Sequence, residues 1–122
     1  MNVKQITQLC LSYAGAIDTL SGHPANILSF KVGDKKFAYF KTSSPEKWRF
    51  SVRVSANSFL ELSDQEGVKP ARFMGRFHWI TIVNVDTFNE GYLKELIQHS
   101  YQKAFSSFSK KRQALILSQH LS

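Results

Sequence analysis

Basic and aromatic residues alternate closely through the middle of the chain: Lys69, Arg72, Arg76 and His78 stand among Phe73, Phe77 and Trp79. A cation beside a flat ring can hold a phosphate with one group while the other stacks on, or wedges against, a base. The same alternation also describes an edge strand whose rings enter the core while its charges meet water. Only three dimensions separate the two accounts. Upstream, Lys31, Lys36, Arg49 and Arg53 add four cations that could lengthen one phosphate track. A further cluster, Lys110-Lys111-Arg112, opens the last segment, where solvated charge at a helix start is common.

Other chemistries find little support. There is no GxSxG, HExxH, CxxC, P-loop or GxGxxG pattern. His23, His78, His99 and His120 have no ligand spacing, and Cys10 stands alone, so neither a metal nor a cofactor is expected. His99 and Ser100 are adjacent, which on a helix turns them about 100° apart and rules out a nucleophile-base pair. Glu95 and His99, four apart, are expected to meet as a surface pair. Asp18, Asp34, Asp64 and Asp86 fall where turns and caps need them. The expectation is a protein that is not an enzyme.

The 122 residues suffice for one domain spanning 1–122, with 43% hydrophobic and 20% charged residues excluding disorder. No apolar run approaches the roughly 20 residues that cross a bilayer. Met1-Asn2-Val3-Lys4 lacks the apolar stretch of a signal peptide, so the expected location is the cytoplasm, with no membrane partner. Sixteen Lys and Arg against nine Asp and Glu give a net charge of +7, which favours anionic partners.

Several elements must position these residues. Val3, Ile6, Leu9, Cys10 and Tyr13 recur at helical spacing, predicting a one-sided helix that ends near Gly15. Runs 26–32 and 35–41 flank Gly33-Asp34, a two-residue hairpin signal, and the simplest register sets Phe30 against Phe37, Leu28 against Tyr39 and Lys31 against Lys36. A third strand over 47–54 alternates Trp48, Phe50, Val52 and Val54 with Arg49, Ser51 and Arg53. Ser55 is placed to cap a short helix that Gly67 ends, 68–73 reads as an edge strand or bulged segment because of Pro70, and 79–85 reads as a strand of undecided face. Thr87 and Glu90 have capping-box spacing before the main helix, whose stripe runs through Leu93, Leu96, Ile97, Ser100, Tyr101, Ala104, Phe105 and Phe108. The segment 109–122 is a terminal helix or docking tail. The order αβββαββα predicts an α+β protein with one antiparallel sheet and helices on one face. Trp48, Phe50, Val52, Phe30, Phe37, Ile97, Tyr101 and Phe105 are expected to share its core.

Gly67-Val68-Lys69-Pro70-Ala71, Met74-Gly75-Arg76, His78-Trp79 and Thr81, then Leu96-Ile97 and His99-Ser100-Tyr101, resemble the signature of the MmcQ/YjbR family. Leu11-Ser12, Gly15-Ala16, Phe30-Lys31-Val32-Gly33 and Lys36-Phe37-Ala38 match its opening in the same order, so the resemblance covers about residues 5–112. It implies a two-layer sandwich similar to secretion chaperones and the CyaY-like class, a DNA-binding label and no catalytic residues.

Two functions compete at this stage. One is non-specific DNA binding through phosphates, with Lys31, Lys36, Arg49 and Arg53 on the sheet face and Lys69, Arg72, Arg76 and His78 at its edge. The other is a protein-interaction module or chaperone-like adaptor, with a homodimer among its forms, using exposed aromatics and the Ala114 to Leu117 tail. A continuous basic surface favours the first, and dispersed charge beside an apolar patch favours the second. A small-ligand site would need a concave pocket with converging polar groups.

Overall fold

Asn2 starts the first helix, α1 (Val3–Ser12), by a reciprocal cap. Its side chain accepts the Gln5 N–H at 2.8 Å, and Gln5 Oε1 accepts the Asn2 N–H at 2.9 Å. Two donors that a helix start leaves open are thereby satisfied. Ile6 and Cys10 are fully buried, and burial pushes the Cys10 thiol up to about 12, so it packs as a small apolar group. The computed structural model describes residues 1–121; Ser122, the end of the expected tail, lies outside the described residues.

Gly15, at φ 71°, leads into β1 (Ala16–Ser21), a strand the sequence pattern does not announce. Its four middle residues are all exposed, so no alternation marks it. Next comes the expected hairpin of β2 (Ile27–Val32) and β3 (Lys35–Lys41), with Gly33 supplying the positive φ of 61° at its two-residue turn. Lys31 faces Lys36 as the simplest register predicts, but the ladder then shifts, so that Phe30 meets Ala38 and Leu28 meets Phe40. Phe37 is the extra residue of a β-bulge. Both Phe37 and Ala38 are fully buried, and the change of phase carries Lys36 to the opposite face, where its Nζ lies 5.1 Å from the Tyr39 ring centre.

β4 (Phe50–Arg53) begins later than expected. Trp48 precedes it in a loop, at φ 70°, with its N–H donating to the Lys41 carbonyl at 2.7 Å, and it remains 39% exposed. Its placement in the core is therefore corrected: the left-handed turn breaks the alternation that would have carried it inward. Ser55 caps α2 (Ala56–Ser63), as expected, by accepting the Ser58 N–H. β5 (Val68–Pro70) lies at the sheet edge, where proline's missing donor is tolerated, and β6 (Trp79–Ile82) is shorter than expected. α3 (Glu90–Ser106) is capped by Asn89, which accepts the Tyr92 N–H at 2.8 Å, and Thr87 instead lies in a 3-10 turn before it. No bond joins Glu95 to His99. The tail is a helix, α4 (Lys110–Leu121).

The six strands run β1-β2-β3-β4-β6-β5, antiparallel at every pairing. Phe30, Phe40, Phe50, Val52, Ile80 and Ile82 meet Ile6, Leu62, Leu93, Ile97 and Tyr101 in one core between sheet and helices. The fold is thus the expected two-layer α+β sandwich, with one further strand at its edge and a fourth helix. α4 seats Ile116 so close to Gly15 that a Cβ there would lie 2.7 Å from Ile116 Cγ2, and Phe108 stands equally close to Gly33. Phe105 is half-buried at the core margin, stacked on Tyr101. No helix among the described residues is long and apolar enough to cross a membrane.

Ser100 and Tyr101 tie α3 to the rest. The Ser100 hydroxyl donates to the Phe37 carbonyl at 2.6 Å and accepts the Arg53 N–H at 3.3 Å, while the Tyr101 hydroxyl donates to the Ala14 carbonyl at 2.6 Å. Ser100 thus bonds the sheet and not the preceding helical turn. Removing its hydroxyl would strand two backbone groups at the bulge. Ser100→Ala is expected to cost about 1–3 kcal/mol in denaturant unfolding. Phe50→Ala should cost about 3–5 kcal/mol and Trp48→Ala clearly less, and equal losses at both would contradict the loop placement of Trp48.

Candidate nucleic-acid interface

With the helices on one face, the other face of the sheet carries no helix, although Ser29, Ser51 and Trp79 on it are buried. The pairings place Ser29, Tyr39, Ser51, Thr81 and Lys69 in one row across five strands of that face, and Arg53 beside Trp79 on the same side. Three loop segments rise around the middle of it: Pro24-Ala25 after β1, Glu46 after β3, and Arg72-Phe73-Met74 after β5. Together they enclose a hollow of about 380 Å³.

Trp79, only 5% exposed, and Ser51 lie at its floor, with the Tyr39 ring 5.7 Å from Trp79 and tilted 34° to it. The Ser51 and Thr81 hydroxyls share a 2.7 Å hydrogen bond there, so two small polar side chains sit opposite each other in an otherwise aromatic floor. Lys36, Lys41, Arg49 and Arg72 line the hollow against a single carboxylate, Glu46. Their commitments differ. Lys41 Nζ donates to the Ala25 carbonyl at 2.9 Å, and Arg49 pairs with Glu46 at 3.5 Å. Lys36 and Arg72 have no carboxylate partner among the described residues; Arg72 rests 5.4 Å from the ring of Phe73, which is 86% exposed at φ 64°. The Lys36 ammonium is held below the ordinary lysine value, first by burial and second by the neighbouring Lys31.

Of the residues expected to bind nucleic acid, Lys36, Arg49 and Arg72 come together around the hollow. Lys31, Arg53 and Lys69 share the open face outside it, and Arg53 Nε is buried there without a hydrogen-bond partner. Arg76 and His78 do not join them: Arg76 lies over Phe77 at 4.7 Å in the 3-10 turn Gly75–Phe77, and the His78 ring packs against Phe59 of α2 at 5.6 Å. Arg112 likewise turns away, to Asp34 and the Phe108 ring. Sequence reasoning missed Tyr39, Lys41, Ser51 and Thr81. The signal for the last two was available, since small hydroxyl residues in mid-strand mark a face that is neither core nor freely solvated. Tyr39 and Lys41 depended on the bulge. No group of three or more His, Cys, Asp or Glu side chains that could hold a metal ion occurs among the described residues.

A family model described as YjbR matches residues 11–103. Among solved structures, a Deinococcus radiodurans protein, DR2400, with the domain DUF419, superposes with a TM-score of 0.80 at 23% identity, covering 94% of this chain and 87% of its own. A Pseudomonas syringae protein superposes with a TM-score of 0.67 at 19% identity, covering 85% of this chain and 99% of its own. At these identities the likeness is one of fold. No curated protein matches the chain.

The lowered titration of Lys36 has a stability consequence with a definite sign. Its folded value lies below the free-lysine value of 10.5, so the charged form opposes folding at neutral pH, and that cost is relieved as pH rises through the lowered value. Lys36→Met keeps the apolar stem over Tyr39 and removes the charge. The substitution is expected to raise the denaturation midpoint at neutral pH slightly, and a lower midpoint would refute this account of the side chain.

Proposed function

The chain belongs to the YjbR family, and from its open sheet face we propose that it is a non-enzymatic cytoplasmic protein that binds DNA through phosphate contacts. One observation carries the reading: cations from four separate segments converge on the helix-free face, four of them around the hollow with one carboxylate to oppose them. A concave, low-dielectric surface lined by one sign of charge concentrates polyanions. Phosphate is the partner common to all DNA, so contacts of this kind set affinity and orientation and leave sequence unread. The helices lie behind the sheet, so none is placed to enter a major groove from this face.

The adaptor reading draws on a different surface. Ile17 and Leu20 of the edge strand β1, and Leu115 and Leu117 of α4, are exposed apolar side chains that a protein partner would cover, though they are spread over both faces of β1 and two sides of α4. The charge gathered on the open face favours DNA.

Binding followed over a salt series separates the two. Each phosphate contact contributes roughly 0.9 to the slope of log affinity against log salt on duplex DNA and about 0.7 on single strands. Replacing Arg49 and Arg72 together by Ala should lower affinity for all sequences alike and reduce the slope by about 1.8 on duplex and about 1.4 on single strands. Arg76→Ala, away from the hollow, should leave both nearly unchanged. Absence of DNA binding at low salt, or an unchanged slope in the double variant, would transfer the function to a protein partner at β1 and α4.

A further inference from the structure

Resting on that DNA reading, we infer that the hollow is a site for one nucleoside monophosphate unit, its base against Tyr39 above the Trp79 floor and its phosphate on Lys36 and Arg72. Four observations converge on this ligand. At about 380 Å³ the hollow has the dimensions of a small-molecule site, whereas a duplex keeps its bases stacked inside and presents only its backbone to such a surface. Tyr39, half-buried and tilted 34° to Trp79 at 5.7 Å, is not closed into a parallel stack, so its ring can meet a planar group while the buried Trp79 backs the floor beneath it. Whichever oxygen donates in the Ser51-Thr81 bond, the half-buried Thr81 hydroxyl keeps a hydrogen or lone pairs with which to meet a base edge, and the buried Ser51 holds it in place. Finally, Lys36 and Arg72 are the two lining cations without a carboxylate partner or a carbonyl acceptor among the described residues, the condition for taking a phosphate.

An aliphatic anion would leave the aromatic floor unused, and a neutral aromatic would leave two cations unmatched. A nucleotide meets both. Its source is either a free mononucleotide or an unpaired residue in a strand, and the chemistry recognised is the same. In a strand, occupation of the hollow requires the base to leave its stack, so single-stranded DNA should be preferred over duplex, with Lys31, Arg53 and Lys69 following the flanking phosphates on the open face.

The test uses the full chain carrying Trp48→Phe, which leaves Trp79 as its single tryptophan. Fluorescence is titrated with uridine and adenosine 5′-monophosphates, ribose 5-phosphate, adenosine, a thymidine decamer and a blunt duplex of the same length. Saturable change in Trp79 emission is expected with both mononucleotides and the decamer, with ribose 5-phosphate and adenosine roughly tenfold weaker and the decamer about tenfold tighter than the duplex. Arg72→Ala, at an exposed rim position, should weaken mononucleotides about tenfold while adenosine is unaffected. If decamer and duplex bind equally and leave Trp79 emission unchanged, the inference is overturned and DNA binding elsewhere on the face stands. Trp79 response to free mononucleotides with no strand binding at low salt keeps the hollow as a nucleotide site and overturns the DNA reading. No response and no binding by any probe removes both.

Discussion

The hydroxyl of Ser100 holds together the two properties on which this molecule depends. A bulge leaves backbone groups without their regular ladder partners, and here they lie in a buried place where water cannot substitute. Ser100 reaches from α3 to the Phe37 carbonyl and the Arg53 N–H, so the same side chain anchors the main helix to the sheet and satisfies the irregularity in it. That irregularity decides the faces. In an unbroken β3, Lys36 would share the face of Ala38 and Phe40 and would enter the core as an unpaired charge. With the bulge, Phe37 joins the core and Lys36 emerges beside Tyr39 on the open side.

Both layers therefore derive their character from one local departure in β3. On the covered side, aromatic rings connect the elements: Tyr101 is stacked on Tyr13 at 4.6 Å and meets the Phe37 ring edge-on at 5.3 Å. On the open side, residues one position along the same strands form a floor of rings and hydroxyls with cations around it. The strands are thus constrained on both faces, which is why the interior alternation of β4 and β6 is so regular and why so few of their positions are free to vary in size.

Most of the fold was legible in the sequence where one face is buried and the other is not. The hairpin turn at Gly33-Asp34, the Ser55 cap, the edge position of Pro70 and the stripe of α3 all carry signals that arise within a few residues. β1 was invisible because its middle residues are all exposed, and Trp48 was misplaced because a left-handed turn at that residue interrupts an otherwise convincing alternation. Of the site, Lys36, Arg49 and Arg72 could be named from charge, whereas Arg76 and His78 could not be separated from them by spacing alone. What distinguishes them is a 3-10 turn after β5 that directs His78 toward α2. Tyr39 and Lys41 needed the bulge, whose partner, Ser100, lies 63 residues away in the chain.

Phe73 shows where folding and surface function pull apart. A non-glycine residue in the left-handed region is held at a cost of about 1–3 kcal/mol, and a bulky ring kept in water recovers none of it through burial. Phe73 combines the two, at φ 64° and 86% exposed, on the rim of the hollow. Glycine would relieve the backbone and lose only the ring beneath the Arg72 guanidinium. Thermal robustness and the rim aromatic therefore stand in opposition at this position, and selection for heat resistance alone would act against the ring.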